Sequence, residues 1–238
     1  MIDFIKNLIE ENLSSLKKFI EKQFHKNYVL LKDDFFEWQY KNNPYNNYPE
    51  YAMKIIESKG EVLGYNGLIP ASMKVFGEDL AAGNFANLMI DEKCRGFGLG
   101  TLLIKESSKD FPVCYTTGYG LDTKVIYEKL GNWTDMGALR RFIRILNPEK
   151  IKKLINKEIS SWNAVTGSDD ENLKVIDRFD QDIDKFWEKI KSKYPITLNR
   201  NQKYLNWRYA DHPMLKYQIF YYIAQSEIKG YAVVRIEE

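Results

Sequence analysis

The chain has 238 residues, 44% of them hydrophobic and 29% charged, with a net charge of +2. That is enough chain for one large domain or two modest ones with a real core, and too little net charge for a general nucleic-acid binder. No apolar run approaches the roughly 18 residues of a membrane helix, charge interrupts the N-terminal stretch where a signal peptide would be apolar, and two cysteines, Cys94 and Cys114, are too few for a disulfide framework or a metal cage. The expectation is a cytoplasmic protein with reduced thiols, no membrane and no nucleic-acid partner.

Residues 2–24 carry Ile5, Leu8, Ile9, Leu13, Leu16 and Ile20 at spacings of mostly three and four, the period of an amphipathic helix, with a break near 12–15. Glu10, Glu11 and Glu21 spoil a basic face, so the helix is expected to pack on its own domain rather than on a lipid surface. Asp33 and Asp34 mark the start of a second helix, DDFFEWQYKNN, stopped at Pro44. Stretches 51–58 and 61–74 read as strands around the Lys59-Gly60 turn, and 80–90 as the next strand.

The stretch 84–105, NFANLMIDEKCRGFGLGTLLIK, organises the rest. An apolar run at 85–90 is ended by Asp91 and Glu92. Arg95-Gly96-Phe97-Gly98-Leu99-Gly100 follows, and helix resumes at Thr101. Strand, glycine-rich turn and helix together form an anion site: glycines let the backbone approach a ligand, and free amides and the helix dipole point at one place. Arg95 adds a charge-assisted contact. No Gly-Lys-Ser/Thr follows, so this is not a P-loop, and the alternate-position glycines do not match a dinucleotide fingerprint. The competing explanation is a tight turn whose glycines serve packing alone.

Residues 111–116 form a short apolar strand. Residues 122–131 form a helix with an acidic start and a glycine stop, and 138–146 a strand ending at Asn147-Pro148. The sum is an α/β domain with a mixed sheet. Past Pro148 come a basic amphipathic helix at 150–160, a polar loop at 165–172, a strand at 173–179, and a helix at 181–191 with Ile183, Phe186, Trp187 and Ile190 on one face.

An internal repeat then becomes visible. Phe36-Glu37-Trp38-Gln39-Tyr40 has its counterpart in Leu205-Asn206-Trp207-Arg208-Tyr209, and Pro44 and Pro213 each follow their tryptophan by the same interval. Each proline leads into two strands, the second carrying Gly64-Tyr65 or Gly230-Tyr231. The later strands, about 216–224 and 228–236, are too few to stand alone. They are expected to extend the first sheet, pack on the first domain or pair with another chain, as in a homodimer. Tyr217, Tyr221, Tyr222, Trp207 and Arg208 read mainly as core and rim of this unit, with one wall of a pocket as the alternative. His25 and His212 read as surface residues. Asn84, Asn87, Glu37 and Glu92 are polar enough to border a cleft, but their spacing singles out none of them as a base.

Arg95, Gly98 and Gly100 fit Arg-x-x-Gly-x-Gly, and in the context IDEKCRGFGLG the loop resembles the acetyl-CoA loop of the GNAT acetyltransferase superfamily. Tyr127-Glu128-Lys129-Leu130-Gly131 is a second point of similarity, and the order of elements over about 30–146 a third. This sequence departs from the family at the start of that helix, where Tyr119-Gly120 stand in place of the usual asparagine, and in Gly131-Asn132-Trp133. WQYKNNP and YLNWRYADHP resemble segments of GNAT-type acetyltransferases of bacterial surface-polysaccharide synthesis and, more distantly, the tandem-domain aminoacyl transferases of peptidoglycan.

The resemblance implies a mixed-sheet GNAT acyltransferase fold at 1–148. A linker helix and a partial second GNAT-like module follow at 149–238, with no cofactor loop of its own. It implies acetyl-CoA as cosubstrate, its pyrophosphate held by Arg95, Gly96, Phe97, Gly98, Leu99, Gly100 and Thr101. A backbone N–H near Met89 or Ile90 would face the thioester carbonyl, and Tyr127 would protonate the departing thiolate. The partner is a small-molecule or sugar amine. A non-catalytic CoA-binding module and a tRNA-dependent aminoacyl transferase are the alternatives, the latter lacking a basic track at +2.

Overall fold

In a computed structural model the described residues are 4–24, 26–137, 152 and 170–235. Two sheets organise them. The first has six strands: β1 (Ile5–Asn7), β2 (Met53–Ser58), β3 (Glu61–Val75), β4 (Glu78–Ile90) and β5 (Val113–Tyr115) in that spatial order, with a further strand, Ile196–Leu198, on β3. Pairing is antiparallel as far as β4, and β4–β5 is parallel. Helices α1 (Glu10–Gln23) and α2 (Asp33–Tyr40) cover one face. There Leu16, Ile20, Phe36, Tyr40 and Tyr65 form a fully buried cluster. Helices α3 (Leu99–Ser108) and α4 (Leu121–Leu130) cover the other, over Leu68, Phe85, Ile104 and Tyr127.

The N-terminal stretch corrects the sequence reading. Residues 5–7 are strand, not helix, and α1 begins only at Glu10. The apolar positions suit either state. The β2 edge decides, because its backbone groups need partners: Glu57 donates to the Phe4 carbonyl at 2.9 Å and Leu8 to the Met53 carbonyl at 2.8 Å. Nor does α1 break at 12–15. Asn12 donates to Glu57, and Ser15 donates to the Gly60 carbonyl and accepts from Val62 N, so these polar side chains tether the helix to the β2–β3 hairpin.

The second sheet contains β6 (Leu173–Ile176), β8 (Gln218–Ala224) and β9 (Glu227–Val234). It packs on α5 (Asp182–Ile190) around Phe179, Ile183, Leu205, Ile219 and Tyr221. The segment α6 (Gln202–Leu205) continues as a π turn through Ala210.

The repeat runs deeper than the tryptophan segments. The β2–β3 register Ile56↔Gly64, Glu57↔Val62, Ser58↔Glu61 has its match in β8–β9 as Tyr222↔Gly230, Ile223↔Ile228, Ala224↔Glu227, each with the same one-residue irregularity. Both hairpins turn through two residues of positive φ, Lys59-Gly60 and Gln225-Ser226. β6 stands to β8 as β1 to β2, and Ile223 donates to the Asn172 carbonyl as Glu57 does to that of Phe4.

The hairpin β8–β9 does not extend the first sheet, as one expectation had it. The element that does is β7 (Ile196–Leu198), which pairs antiparallel with Met73–Val75. Around it Lys74 Nζ donates to the carbonyls of Lys191 and Tyr194, and Asn199 Nδ2 to Ser72 and Asp79. The second copy therefore docks at the start of β4. That strand has 13 residues, so its far end lies about 40 Å away. The predicted strand at 138–146, the helix at 150–160 apart from residue 152, and the domain boundary lie outside the described residues, as does His25. Among the described residues no helix is long and apolar enough to cross a membrane.

Candidate functional site

β4 and β5 pair only at Ala82–Asn84 with Val113–Tyr115. Beyond Asn84 the strands part, and β4 continues alone on that side to Ile90. Asp91 N donates to the Leu63 carbonyl at 2.8 Å, toward β3. Amides alternate in direction along a strand, so the Ile90 N–H points the other way, into the gap. Of the two residues the sequence nominates, Ile90 has its N–H directed into the gap and Met89 has its N–H directed at β3.

The loop follows directly. Asp91 accepts from Lys93 N at 3.0 Å and from Lys22 Nζ of α1 at 2.9 Å, which fixes the exit of the strand. Arg95 folds back so that its Nε donates to the Ile90 carbonyl at 3.1 Å, with its side chain half open to solvent. Gly96 and Gly98 have φ of +84° and +78°, and a Cβ on either would meet nothing within 4 Å. Backbone conformation, with open space beside it, is what these two glycines supply. Gly100 differs: it is buried, and its Cβ would lie 3.3 Å from Ile126 and 3.7 Å from Ile90, so it serves close packing of α3 on α4 and β4. Packing thus explains Gly100, while positive φ explains Gly96 and Gly98.

Gly98 is the N-cap of α3 and offers no side-chain cap. Among the described residues the amides of Gly98, Leu99, Gly100 and Thr101 have no acceptor, and the first α3 bond runs from Leu102 N to the Gly98 carbonyl. Four unsatisfied donors on one dipole end form a cradle suited to anionic oxygens. Phe97 projects outward, exposed.

Tyr127 comes from α4, closed by Gly131 in the left-handed conformation. It packs 4.3 Å from Trp133, centroid to centroid. It lines a cavity of about 810 Å³ with Thr116, Tyr119, Trp133 and Asp135, at the end of β5 where the gap opens. Burial pushes its phenol up to about 12, against a hydrogen bond with Thr116 that pulls the other way. Loop residues 95–101 do not line this cavity.

Two features escaped the sequence reading. Asn87 takes φ +60° at a bulge in β4 and bonds to Tyr40. The available signal was Gly67, since glycine inside a strand marks a bulge or a close approach. His212 is half-buried rather than fully exposed. Its ring lies 4.4 Å from that of Trp38, and its Nδ1 accepts from Met214 N and Leu215 N. Burial and the nearby Arg208 and Arg235 charges lower its pKa. Trp207 and Tyr221 are core, as the prevailing reading of that group had it.

No protein-family model and no curated protein matches this sequence. Solved structures do. N-myristoyltransferase from Saccharomyces cerevisiae with bound myristoyl-CoA and inhibitors aligns over 98% of this chain at 12% identity, with a TM-score of 0.55; this chain spans 58% of that one. A second structure of the yeast enzyme, with bound myristoyl-CoA, covers 98% and 57% at 13% identity and 0.53. Glucosamine-6-phosphate N-acetyltransferase from Arabidopsis thaliana covers 58% of this chain and 96% of its own, at 16% identity and 0.42. The yeast alignments take in both copies of the repeat. What these alignments share with the chain is the fold, that of the yeast N-myristoyltransferase.

Proposed function

We propose that this chain is an acetyl-CoA-dependent N-acetyltransferase that acts on a small-molecule or sugar amine, with its catalytic domain at 1–148 and a partial second module at 149–238. The observation that carries the reading is the set of unsatisfied amides of residues 98–101 beside a strand gap into which the Ile90 N–H points. The myristoyl-CoA held by the yeast relative of this fold supports an acyl-CoA as cosubstrate.

Bound acetyl-CoA supplies an activated acyl carbon and a thiol leaving group. The chain's residues do the rest. The loop amides and the α3 dipole hold the pyrophosphate, with Arg95 adding positive charge. The Ile90 N–H donates to the carbonyl oxygen as negative charge builds there. Tyr127 donates at sulfur. Its phenol, pushed up to about 12, is too weak an acid to surrender its proton to a thiolate whose conjugate acid lies near 8.5. Hydrogen-bond donation, rather than the full protonation implied by the family resemblance, is the role that chemistry supports. The amine attacks in its unprotonated form: the C–N bond forms as the C–S bond breaks, and the proton the amine sheds passes through solvent to the departing thiolate.

The test is thiol release from acetyl-CoA over a panel of amines that includes amino sugars, with the acetylated product identified by mass. Amine-dependent release of one thiol per acetyl amide supports the proposal. Tight CoA binding with no turnover on any amine would instead favour a non-catalytic module.

A further inference from the structure

Inside β4 the pairing with β3 passes from Gly67↔Ala86 to Tyr65↔Met89. Asn87 and Leu88 thus face the single residue Asn66, which is a one-residue bulge. Asn87 adopts φ +60°, a left-handed conformation that asparagine tolerates better than most side chains. Its side chain is held: Nδ2 donates to the Tyr40 hydroxyl at 2.9 Å, and Oδ1 accepts from the Tyr28 hydroxyl at 3.4 Å. Tyr40 is fully buried and reaches the strand because residue 67 is glycine; a Cβ there would lie 2.4 Å from the Tyr40 hydroxyl oxygen and 2.8 Å from the Ala86 carbonyl oxygen. From the other face, Asn66 donates to Ser107 of α3 at 3.1 Å.

A bulge is a register insertion. Side-chain and amide directions alternate with period two, so removing one residue's worth of offset turns every later N–H to the opposite side. Three residues after Asn87, the Ile90 N–H points into the β4–β5 gap. Without the bulge it would point at β3.

We propose that Tyr40 is a positioning residue: by holding Asn87 in the left-handed conformation it fixes the bulge, and so aims the Ile90 N–H at the acyl carbonyl. This rests on the acetyl-CoA reading above. Tyr40 touches neither the acyl group nor the sulfur. It acts through Asn87 and the strand, and the same short helix presents Trp38 to the second copy on its opposite side.

The experiment compares affinities for acetyl-CoA and for free CoA by calorimetry, in the unaltered chain, Tyr40→Phe and Asn87→Gly. Phosphate and pantetheine contacts are common to both ligands, so the ratio of affinities isolates the contact to the acyl carbonyl. Tyr40→Phe removes one hydroxyl, and Asn87→Gly keeps a backbone that accepts positive φ, so the link can be cut without touching the core should Tyr40→Phe fail to fold. The unaltered chain is expected to prefer acetyl-CoA. Both variants should lose about three- to tenfold of that preference, the worth of one hydrogen bond, while free CoA binds within about twofold of the unaltered chain. Amide exchange at 86–90 should quicken in both variants. An unchanged ratio, or an equal loss for both ligands, overturns the role of Tyr40 and leaves the acetyl-CoA reading standing. Absence of binding by either ligand to the unaltered chain overturns both.

Discussion

Trp38 and Trp207 bind each other reciprocally. Their rings stack with centroids 4.8 Å apart and 15° from parallel. Trp38 Nε1 donates to the Trp207 carbonyl at 2.9 Å, and Trp207 Nε1 donates to the Trp38 carbonyl at 3.0 Å. Each residue does to its partner what the partner does to it, as in an isologous dimer contact, here between two copies in one chain. The Phe35–Trp38 and Tyr204–Trp207 ring contacts repeat the relation one turn earlier.

That reciprocity sets the first prediction. Trp38→Phe and Trp207→Phe each remove an indole donor and leave a buried carbonyl unsatisfied, at about 1–3 kcal/mol, with a further loss of ring area. Because the two rings share one stack, the double variant should be less destabilised than the sum of the singles by about 0.5–3 kcal/mol. Urea unfolding of all four proteins measures this, and strict additivity would show that the tryptophans do not act as a pair.

His212 and Asn43 hold equivalent places in the two copies. Asn43 Oδ1 accepts from Tyr45 N two residues on, as His212 Nδ1 accepts from Met214 N. The histidine adds a titration. Its pKa is lowered in the folded chain from 6.5, first by burial and then by Arg208 and Arg235. Above that value both states are neutral and no penalty exists. As pH falls below it, the unfolded chain takes the proton more readily, and the folded state loses stability. His212→Asn should keep the turn and flatten the dependence of melting temperature on pH between 7 and 5. A melting curve equally steep in the variant would place the titration elsewhere.

Tyr127→Phe should lower turnover by on the order of 10²-fold and leave acetyl-CoA affinity within about twofold. A raised phenol stays protonated until pH passes its own value, here about 12. The activity profile should therefore show no fall from Tyr127 between pH 6 and 10. A base-side fall in that range that disappears in Tyr127→Phe would contradict the assignment.

The loop's conformation could be read from its sequence because Gly96 and Gly98 encode positive φ locally. The repeat was visible because the tryptophan-to-proline interval is preserved. What stayed hidden depends on partners remote in the chain. Ile5–Asn7 is strand only because β2 has an open edge, and Ile196–Leu198 only because β3 outruns β2. The bulge at Asn87 is set by Tyr40 and Gly67, which no local pattern around residue 87 reveals. His212 looks like a fully exposed turn in sequence, and the Trp38 ring of the other copy, 4.4 Å away, leaves it half-buried. Tyr127 could be singled out from Tyr127-Glu128-Lys129-Leu130-Gly131, while its acid strength needed the burial that only packing supplies.

The most direct measurement is calorimetric titration of the full chain with acetyl-CoA, repeated on Gly98→Asn and Gly98→Glu. One site is expected in the unaltered chain. Gly98→Asn should retain most of the affinity, because asparagine tolerates the left-handed conformation and adds no charge. Gly98→Glu should remain folded and lose binding by more than about tenfold, because its carboxylate would sit where phosphate oxygens meet the amides of α3. No heat of binding in the unaltered chain, or undiminished affinity in folded Gly98→Glu, would contradict the assignment of this loop.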